Sequence, residues 1–75
     1  MRSHAFAMTH IDTAIRLPEV RKRTGLGKTE IYRLAKLGEF PQPRRISHKV
    51  SVWSGSAVDL WVAQKLDPEV ADLIG

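Results

Sequence analysis

Apolar residues recur at a helical spacing between Lys28 and Gly38, and this stretch is the most informative part of the chain. At about 100° per residue, one side of the helix is apolar or small. That side carries Ile31, Leu34, Ala35 and Gly38, and the opposite side carries Thr29, Tyr32, Arg33 and Lys36. The pattern predicts an amphipathic helix that begins near Gly27 or Lys28, ends at Gly38 and has a basic outer face. Such a face suits a DNA groove, although a charged helix face that simply meets water has the same pattern.

A second short helix is predicted directly before this one. Pro18 is favoured in the first turn of a helix, and Leu17 and Val20 would face inward. This helix is expected to end near Thr24, where Gly25 supplies a left-handed stop. Two short helices joined by a glycine-containing turn form a helix-turn-helix.

Residues 40–53 cannot continue the second helix and predict a β-hairpin. The sequence Phe40-Pro41-Gln42-Pro43 forces extended backbone, with Phe40 expected in the core. Two β-prone runs follow, Arg44–Ile46 and Val50–Trp53, with Ser47-His48-Lys49 between them. Because an isolated hairpin is only marginally stable, its apolar side should pack against the helices.

A third helix is expected after the hairpin, with Ser54 and Ser56 as competing N-caps. Val58, Trp61 and Val62 share one of its faces. We expect both tryptophans, Trp53 and Trp61, to be buried together with Phe40 and not to stack on bases.

The two ends of the chain show weaker patterns. Residues 1–13 are polar and small without a period, so a disordered arm is expected before a domain spanning residues 14–66. Residues 67–75 predict a short helix or tail, whose Val70, Leu73 and Ile74 form a small apolar stripe. Three outcomes are open for this segment: packing on its own domain near Leu60, contacting another subunit, or fraying.

Composition narrows the class of protein. The chain has 75 residues and no cysteine, and its three histidines are dispersed, so neither disulfides nor a metal site is expected. No apolar run reaches the roughly 20 residues that span a bilayer, which favours a cytoplasmic protein. No nucleophile–base pair is visible in a chain this small, so we expect no enzyme and no cofactor.

The positive charge is concentrated in the middle of the chain. Residues 16–49 hold ten of the twelve Lys and Arg residues against three acids, whereas residues 50–75 carry a net charge of −3. A basic front half and an acidic back half are typical of a domain that presents one face to a polyanion.

Several motifs together resemble the AlpA family of phage and prophage regulators over roughly residues 15–66. They are Arg16-Leu17-Pro18-Glu19-Val20, Thr24-Gly25-Leu26, Ile31-Tyr32-Arg33-Leu34, Gly38-Glu39-Phe40-Pro41-Gln42-Pro43, Trp53, Val58-Asp59 and Trp61-Val62. The resemblance implies a mainly α winged helix-turn-helix, MerR-like and excisionase-like, that binds DNA. Members of the family regulate transcription of prophage genes, including integrase genes, or resemble excisionases.

Carried over by position, the resemblance makes the second helix the recognition helix and the hairpin the wing. The recognition helix would bear Lys28, Thr29, Tyr32, Arg33 and Lys36, and the wing would bear Arg44, Arg45, His48 and Lys49. The tip departs from the family pattern, because Ser47-His48-Lys49 lacks the glycine that family wings often carry.

The side-chain chemistry suggests a role for each of these residues. Arg33 has the planar fork needed for a bidentate contact to guanine, and Glu30 and Glu39 are expected to point away from the DNA. Tyr32 could donate to a phosphate or brace the turn. Thr29 and Lys36 could reach base edges or phosphates, and His48 could contact phosphate or remain a solvated loop residue. The wing residues Arg44, Arg45 and Lys49 are expected to follow the backbone or enter the minor groove. Lys22 and Arg23 could contact phosphate or stabilise the C-terminal end of their own helix.

Two other functions remain open at this level. An architectural excisionase that bends DNA would use the same fold as a transcription regulator. A protein-binding module could instead present its basic face to an acidic partner. One small module buries little DNA surface, so we also expect cooperative self-association on DNA that carries several sites.

Overall fold

The computed structural model describes residues 11–67, which form three helices and three strands. Their bounds are β1 Ala14–Ile15, α1 Leu17–Thr24, α2 Lys28–Lys36, β2 Arg44–Ser47, β3 Val50–Ser54 and α3 Gly55–Leu66. The architecture is the predicted one, mainly α with a small β-hairpin, a winged helix-turn-helix. The predicted tail lies outside the described residues from position 68 onward, as does the predicted arm up to position 10.

The turn between α1 and α2 is stabilised by its own residues. Gly25 ends α1 at φ 75°, where it donates its backbone N–H to Arg21 O at 2.8 Å. The Thr24 hydroxyl donates to Val20 O at 2.8 Å and accepts from the Leu26 backbone N–H at 3.1 Å. These bonds direct Leu26 back toward the core, which fixes the entry into α2.

Helix α2 ends at Lys36, two residues before the predicted end at Gly38. Gly38 adopts φ 78°, and its N–H donates to Ala35 O at 3.0 Å, while the Glu39 N–H donates to Leu34 O at 2.9 Å. Both bonds cap carbonyls of the last turn in a left-handed termination. Phe40 enters the core directly afterwards, 4 % exposed.

The hairpin belongs to a three-stranded antiparallel sheet in the order β1-β3-β2. Strand β1 pairs with β3, with Ile15 opposite Trp53. Local sequence does not indicate this pairing, because two residues are too few for a strand pattern to specify a partner 38 positions away.

Helix α3 begins beneath the N-terminal segment of the domain. Ser54 is its N-cap and accepts from the Ala57 N–H at 3.0 Å. The Asp12 carboxylate accepts from the Ser56 N–H and hydroxyl, each at 3.0 Å, and from the Ser54 hydroxyl. Asp12, which the sequence places in the disordered arm, is thus attached to the start of α3.

Gly55 makes this attachment possible. Its N–H donates to Thr13 O at 2.7 Å, and a Cβ at position 55 would lie 3.1 Å from that oxygen and 3.2 Å from Arg23 Nη1. The close approach of three chain segments therefore favours a residue without a side chain, because a Cβ would push these neighbours apart by a few tenths of an ångström.

The core lies between the sheet and the three helices. Its buried residues are Ile15, Val20, Ile31, Ala35, Phe40, Trp53 and Val58. Trp61 was expected among them but is only half-buried, because its indole Nε1 reaches the surface to donate to Glu39 O at 2.8 Å. Its ring meets the edge of Phe40 at 4.8 Å between centroids, whereas Trp53 packs against Tyr32 at 5.7 Å.

Candidate nucleic-acid interface

A basic cleft lies where α2 meets the hairpin and the start of α1. It has a volume of about 210 Å³ and is lined by Arg16, Leu17, Pro18, Lys28, Tyr32, Lys49 and Ser51. Three separate segments contribute a cation each, and two hydroxyl side chains join them. The lining contains no carboxylate, so the cleft has the charge and the donors that suit a phosphate group.

The outer face of α2 borders this cleft and is solvent-exposed as predicted. Thr29, Tyr32, Arg33 and Lys36 are all exposed. Tyr32 makes two kinds of contact in this position, since it packs against Trp53 and also lines the cleft. The core therefore holds the aromatic ring in place next to the basic residues.

Arg33 forms a bidentate ion pair with Glu30 on the same helix face. Its Nε donates to Glu30 Oε1 at 3.1 Å, and its Nη2 donates to Glu30 Oε2. The hydrogen bond with Glu30 raises the pKa of Arg33, and the bond from Arg33 lowers the pKa of Glu30. Because residues three apart on a helix are neighbours and the two charges attract, Glu30 lies beside the candidate contact residue Arg33. The expectation that Glu30 points away from the DNA stays a prediction.

The wing separates its two arginines. Arg45 lies opposite Ser51, and Arg44 lies opposite Val52. Since directly opposed residues share a face of the sheet, only Arg45 is on the face of the cleft residue Ser51. Arg45 Nη1 donates to His48 O at 3.3 Å, which supports the turn at His48 and Lys49.

The cations at the end of α1 have different surroundings. Lys22 is exposed and lines a hollow beside the start of α2, together with Arg21 and Gly27. Arg23 instead turns toward α3. Its Nε donates to Glu19 at 2.9 Å, and its Nη1 donates to Asp59 at 3.1 Å. The bond to Glu19 is the main reason why the pKa of Arg23 is raised, and the residue connects two helices.

Arg16 is the site residue that the sequence did not single out. It precedes α1, and its carbonyl oxygen accepts from the N–H groups of Glu19 and Val20, each at 3.0 Å. These bonds make Arg16 the N-cap, and the residue also lines the cleft. The residue lies 12 positions before Lys28 and 33 before Lys49, so no local pattern indicates that the three meet.

The described residues offer no support for two other kinds of site. Between positions 11 and 67, no group of three or more His, Asp or Glu side chains is placed to hold a metal ion. Within the same range, no helix is long and apolar enough to cross a membrane.

Comparison with known proteins gives one family over most of the chain. The family model of the prophage CP4-57 regulatory protein (AlpA) matches residues 13–66. The uncharacterized protein ORF88 of Enterobacteria phage P4 is 36 % identical over 52 residues, which are 69 % of this chain. The chain spans 59 % of the length of that relative. No solved structure matches significantly.

Proposed function

The chain belongs to the AlpA family of prophage regulatory proteins, and we propose that it regulates prophage genes by binding double-stranded DNA. In this proposal α2 enters the major groove and the β2–β3 hairpin acts as a wing on the adjacent backbone. The observation that carries the proposal is the basic cleft between α2 and the hairpin. Three segments of the chain bring Arg16, Lys28 and Lys49 together there, around two hydroxyl side chains.

The cleft and the α2 face have complementary tasks in this proposal. Cations spread over several segments follow a phosphate backbone and position a protein without reading sequence. The α2 face carries side chains that can reach base edges, because the major groove is about 12 Å wide and admits a helix. An acidic protein would also be attracted to this cleft, so the steep log-linear salt dependence expected of DNA binding separates the two functions.

We assign roles to the predicted residues accordingly. Arg16, Lys28, Lys49 and the Tyr32 hydroxyl contact phosphate, and Lys22, Arg44 and His48 contact the flanking backbone. Thr29, Arg33 and Lys36 face the bases. Arg45 supports the wing turn through His48 O. Arg23 is not assigned to DNA, because Glu19 and Asp59 both accept hydrogen bonds from its guanidinium.

Affinity sets a further expectation about assembly. A single module of this kind covers about 600–1,000 Å² of protein surface on DNA, which limits the affinity of one copy. We propose that several copies load cooperatively on DNA with repeated sites. A gel-shift titration on duplexes with one, two or three sites tests this, and equal affinity per site on all three would rule it out.

The main experiment compares selected and scrambled DNA. Duplexes are selected from a random pool by the full chain, and dissociation constants are measured by fluorescence anisotropy. We expect Lys28→Ala and Lys49→Ala to weaken binding to both duplexes by similar factors. Lys65→Ala is the matched control, since Lys65 lies on α3, where its ammonium is 5.5 Å from the Trp61 ring centroid, and outside the cleft.

Two results would contradict the proposed function. One is that no duplex binds better than random DNA at physiological salt. The other is that Lys65→Ala weakens binding as much as the cleft variants do. A bending assay on the selected duplex then separates a regulator that leaves DNA nearly straight from an architectural protein that bends it.

A further inference from the structure

We propose that Glu30 is a positioning residue for DNA specificity, which holds Arg33 in the orientation that reads guanine. The inference rests on the proposed function and assigns a task to an acidic residue on a surface that is otherwise basic. Removing Glu30 should improve binding to DNA in general and reduce the preference for the correct base.

The geometry of the pair carries the inference. The Glu30 carboxylate occupies the side of the guanidinium formed by Nε and Nη2. Arg33 has five N–H donors, and this contact uses two of them. Nη1 and the second hydrogen of Nη2 remain, and together they form the end of the fork. Guanine presents O6 and N7 as paired acceptors in the major groove, which matches that free end.

The surroundings of the pair indicate that its main role is not to stabilise the fold. The side chains of Arg33 and Glu30 are 55 % and 42 % exposed, and both residues lie on α2. An exposed ion pair within one helix contributes little to stability. By contrast, Arg23 connects two helices through Glu19 and Asp59. The pair on α2 links no separate elements, so its main consequence is to restrict the conformations of a long side chain.

A carboxylate in this position also has a cost. It lies beside a surface proposed to contact phosphates, where a negative charge lowers affinity for every DNA sequence. A fixed guanidinium loses less side-chain entropy when it meets the correct base, because its rotamer is already selected. The lower general affinity leaves the specificity ratio unchanged, whereas better use of the correct contact increases it.

The test is a double-mutant cycle with a charge-matched control. The variants are Glu30→Gln, Arg33→Ala and the double variant, and Glu39→Gln is the control. Glu39 is a good control because its charge also acts on Arg33, but Glu30 provides the side-chain hydrogen bonds. Each protein is measured on the selected duplex and on a duplex with the contacted G·C pair replaced by A·T. Thermal melting confirms that each variant is folded.

The expected results are specific to positioning. Arg33→Ala should reduce discrimination by about 5- to 150-fold, the range for one bidentate base contact. Glu30→Gln should raise affinity for the replaced duplex and lower the discrimination by about 2- to 12-fold, the cost of ordering one long side chain on binding. Glu39→Gln should raise affinity for both duplexes alike. In the Arg33→Ala background, Glu30→Gln should no longer change discrimination.

Three outcomes would overturn the inference. Discrimination by Glu30→Gln equal to that of the wild type would show that the ion pair is only a surface contact. An undiminished effect of Glu30→Gln without Arg33 would show that Glu30 reads a base itself. Unchanged discrimination in Arg33→Ala would remove the base contact but leave DNA binding through the cleft intact. A wild-type chain without any DNA preference would instead overturn the proposed function, and this inference with it.

Discussion

Two arginine–glutamate pairs, on α1 and on α2, look alike in sequence but differ in their structural environment. Arg23 pairs with Glu19 four residues earlier, and Arg33 pairs with Glu30 three residues earlier. The Arg23 side chain is 29 % exposed and also bonds Asp59 on α3, whereas the Arg33 side chain is 55 % exposed. The first region is a junction between helices, and the second is an exposed surface that we propose contacts DNA.

The difference shows why positive charge alone does not locate a binding face. Both arginines lie in the basic middle of the chain, and the sequence offered both as candidate DNA contacts. The difference is that Arg23 also donates to the Asp59 carboxylate, which lies 36 positions away along the chain and is brought close only by the fold. The following predictions test this division between a junction region and a contact region.

The largest expected effect on stability comes from the core residue Trp53, on which both regions depend. Trp53 is 1 % exposed and packs between the core and Tyr32. Trp53→Ala should destabilise the fold by about 3–5 kcal/mol, the range for deleting a large buried aromatic side chain. For a domain this small, that loss should abolish both the thermal transition and DNA binding.

Trp53→Phe is the informative control. The buried Trp53 Nε1 has no hydrogen-bond partner among the described residues. Because phenylalanine removes this unpaired donor while keeping most of the ring, the variant should lose much less stability than Trp53→Ala. If the two variants melt alike, the packing of the ring is not what stabilises the domain.

An intermediate effect should distinguish the two arginines directly. Arg23→Ala removes the link between α1 and α3 and should lower the melting temperature, with DNA specificity preserved in the folded fraction. Arg33→Ala should leave the melting temperature nearly unchanged and cost about 1–3 kcal/mol on the selected duplex. Calorimetry and anisotropy on the same samples measure both quantities. If Arg23→Ala lost specificity but kept its stability, Arg23 would be a DNA contact and not a link between helices.

The smallest expected effect is a dependence of the fold's stability on acidic pH, and it involves Asp12 at the start of α3. The bond from the Ser54 hydroxyl, followed by those from the Ser56 and Thr13 N–H groups, holds the pKa of Asp12 well below its ordinary value. The unfolded chain has the ordinary pKa of about 3.9, so Asp12 stabilises the fold above that pH and loses this contribution as the pH falls.

Asp12→Asn should therefore melt at a lower temperature than the wild type near pH 7. The difference should shrink as the pH is lowered below about 4, where the unfolded wild-type chain takes up a proton. Melting curves at several pH values measure the difference. A constant difference between the two proteins across this range would mean that Asp12 acts through shape and not through its charge.

Local patterns were sufficient to predict most of the fold. Proline at the start of α1, glycine at its end and the apolar spacing of α2 depend on neighbours in sequence, and the structure has these elements at nearly the predicted positions. The pairing of β1 and the attachment of Asp12 were not predictable, since their partners lie 38 to 44 positions away. The ion pair of Glu30 with Arg33 is local, and the spacing of three residues could have indicated it.

The salt dependence of DNA binding tests the central claim most directly. Each phosphate contact made by a cation releases counterions and contributes about 0.9 to the slope of log affinity against log salt. The wild type is measured beside a triple variant, Arg16→Ala with Lys28→Ala and Lys49→Ala, which removes the three cations of the cleft. We predict a linear dependence for the wild type and a slope shallower by about 2.7 for the triple variant. Equal slopes for the two proteins would contradict the account, because the cleft would then make no contact with phosphate.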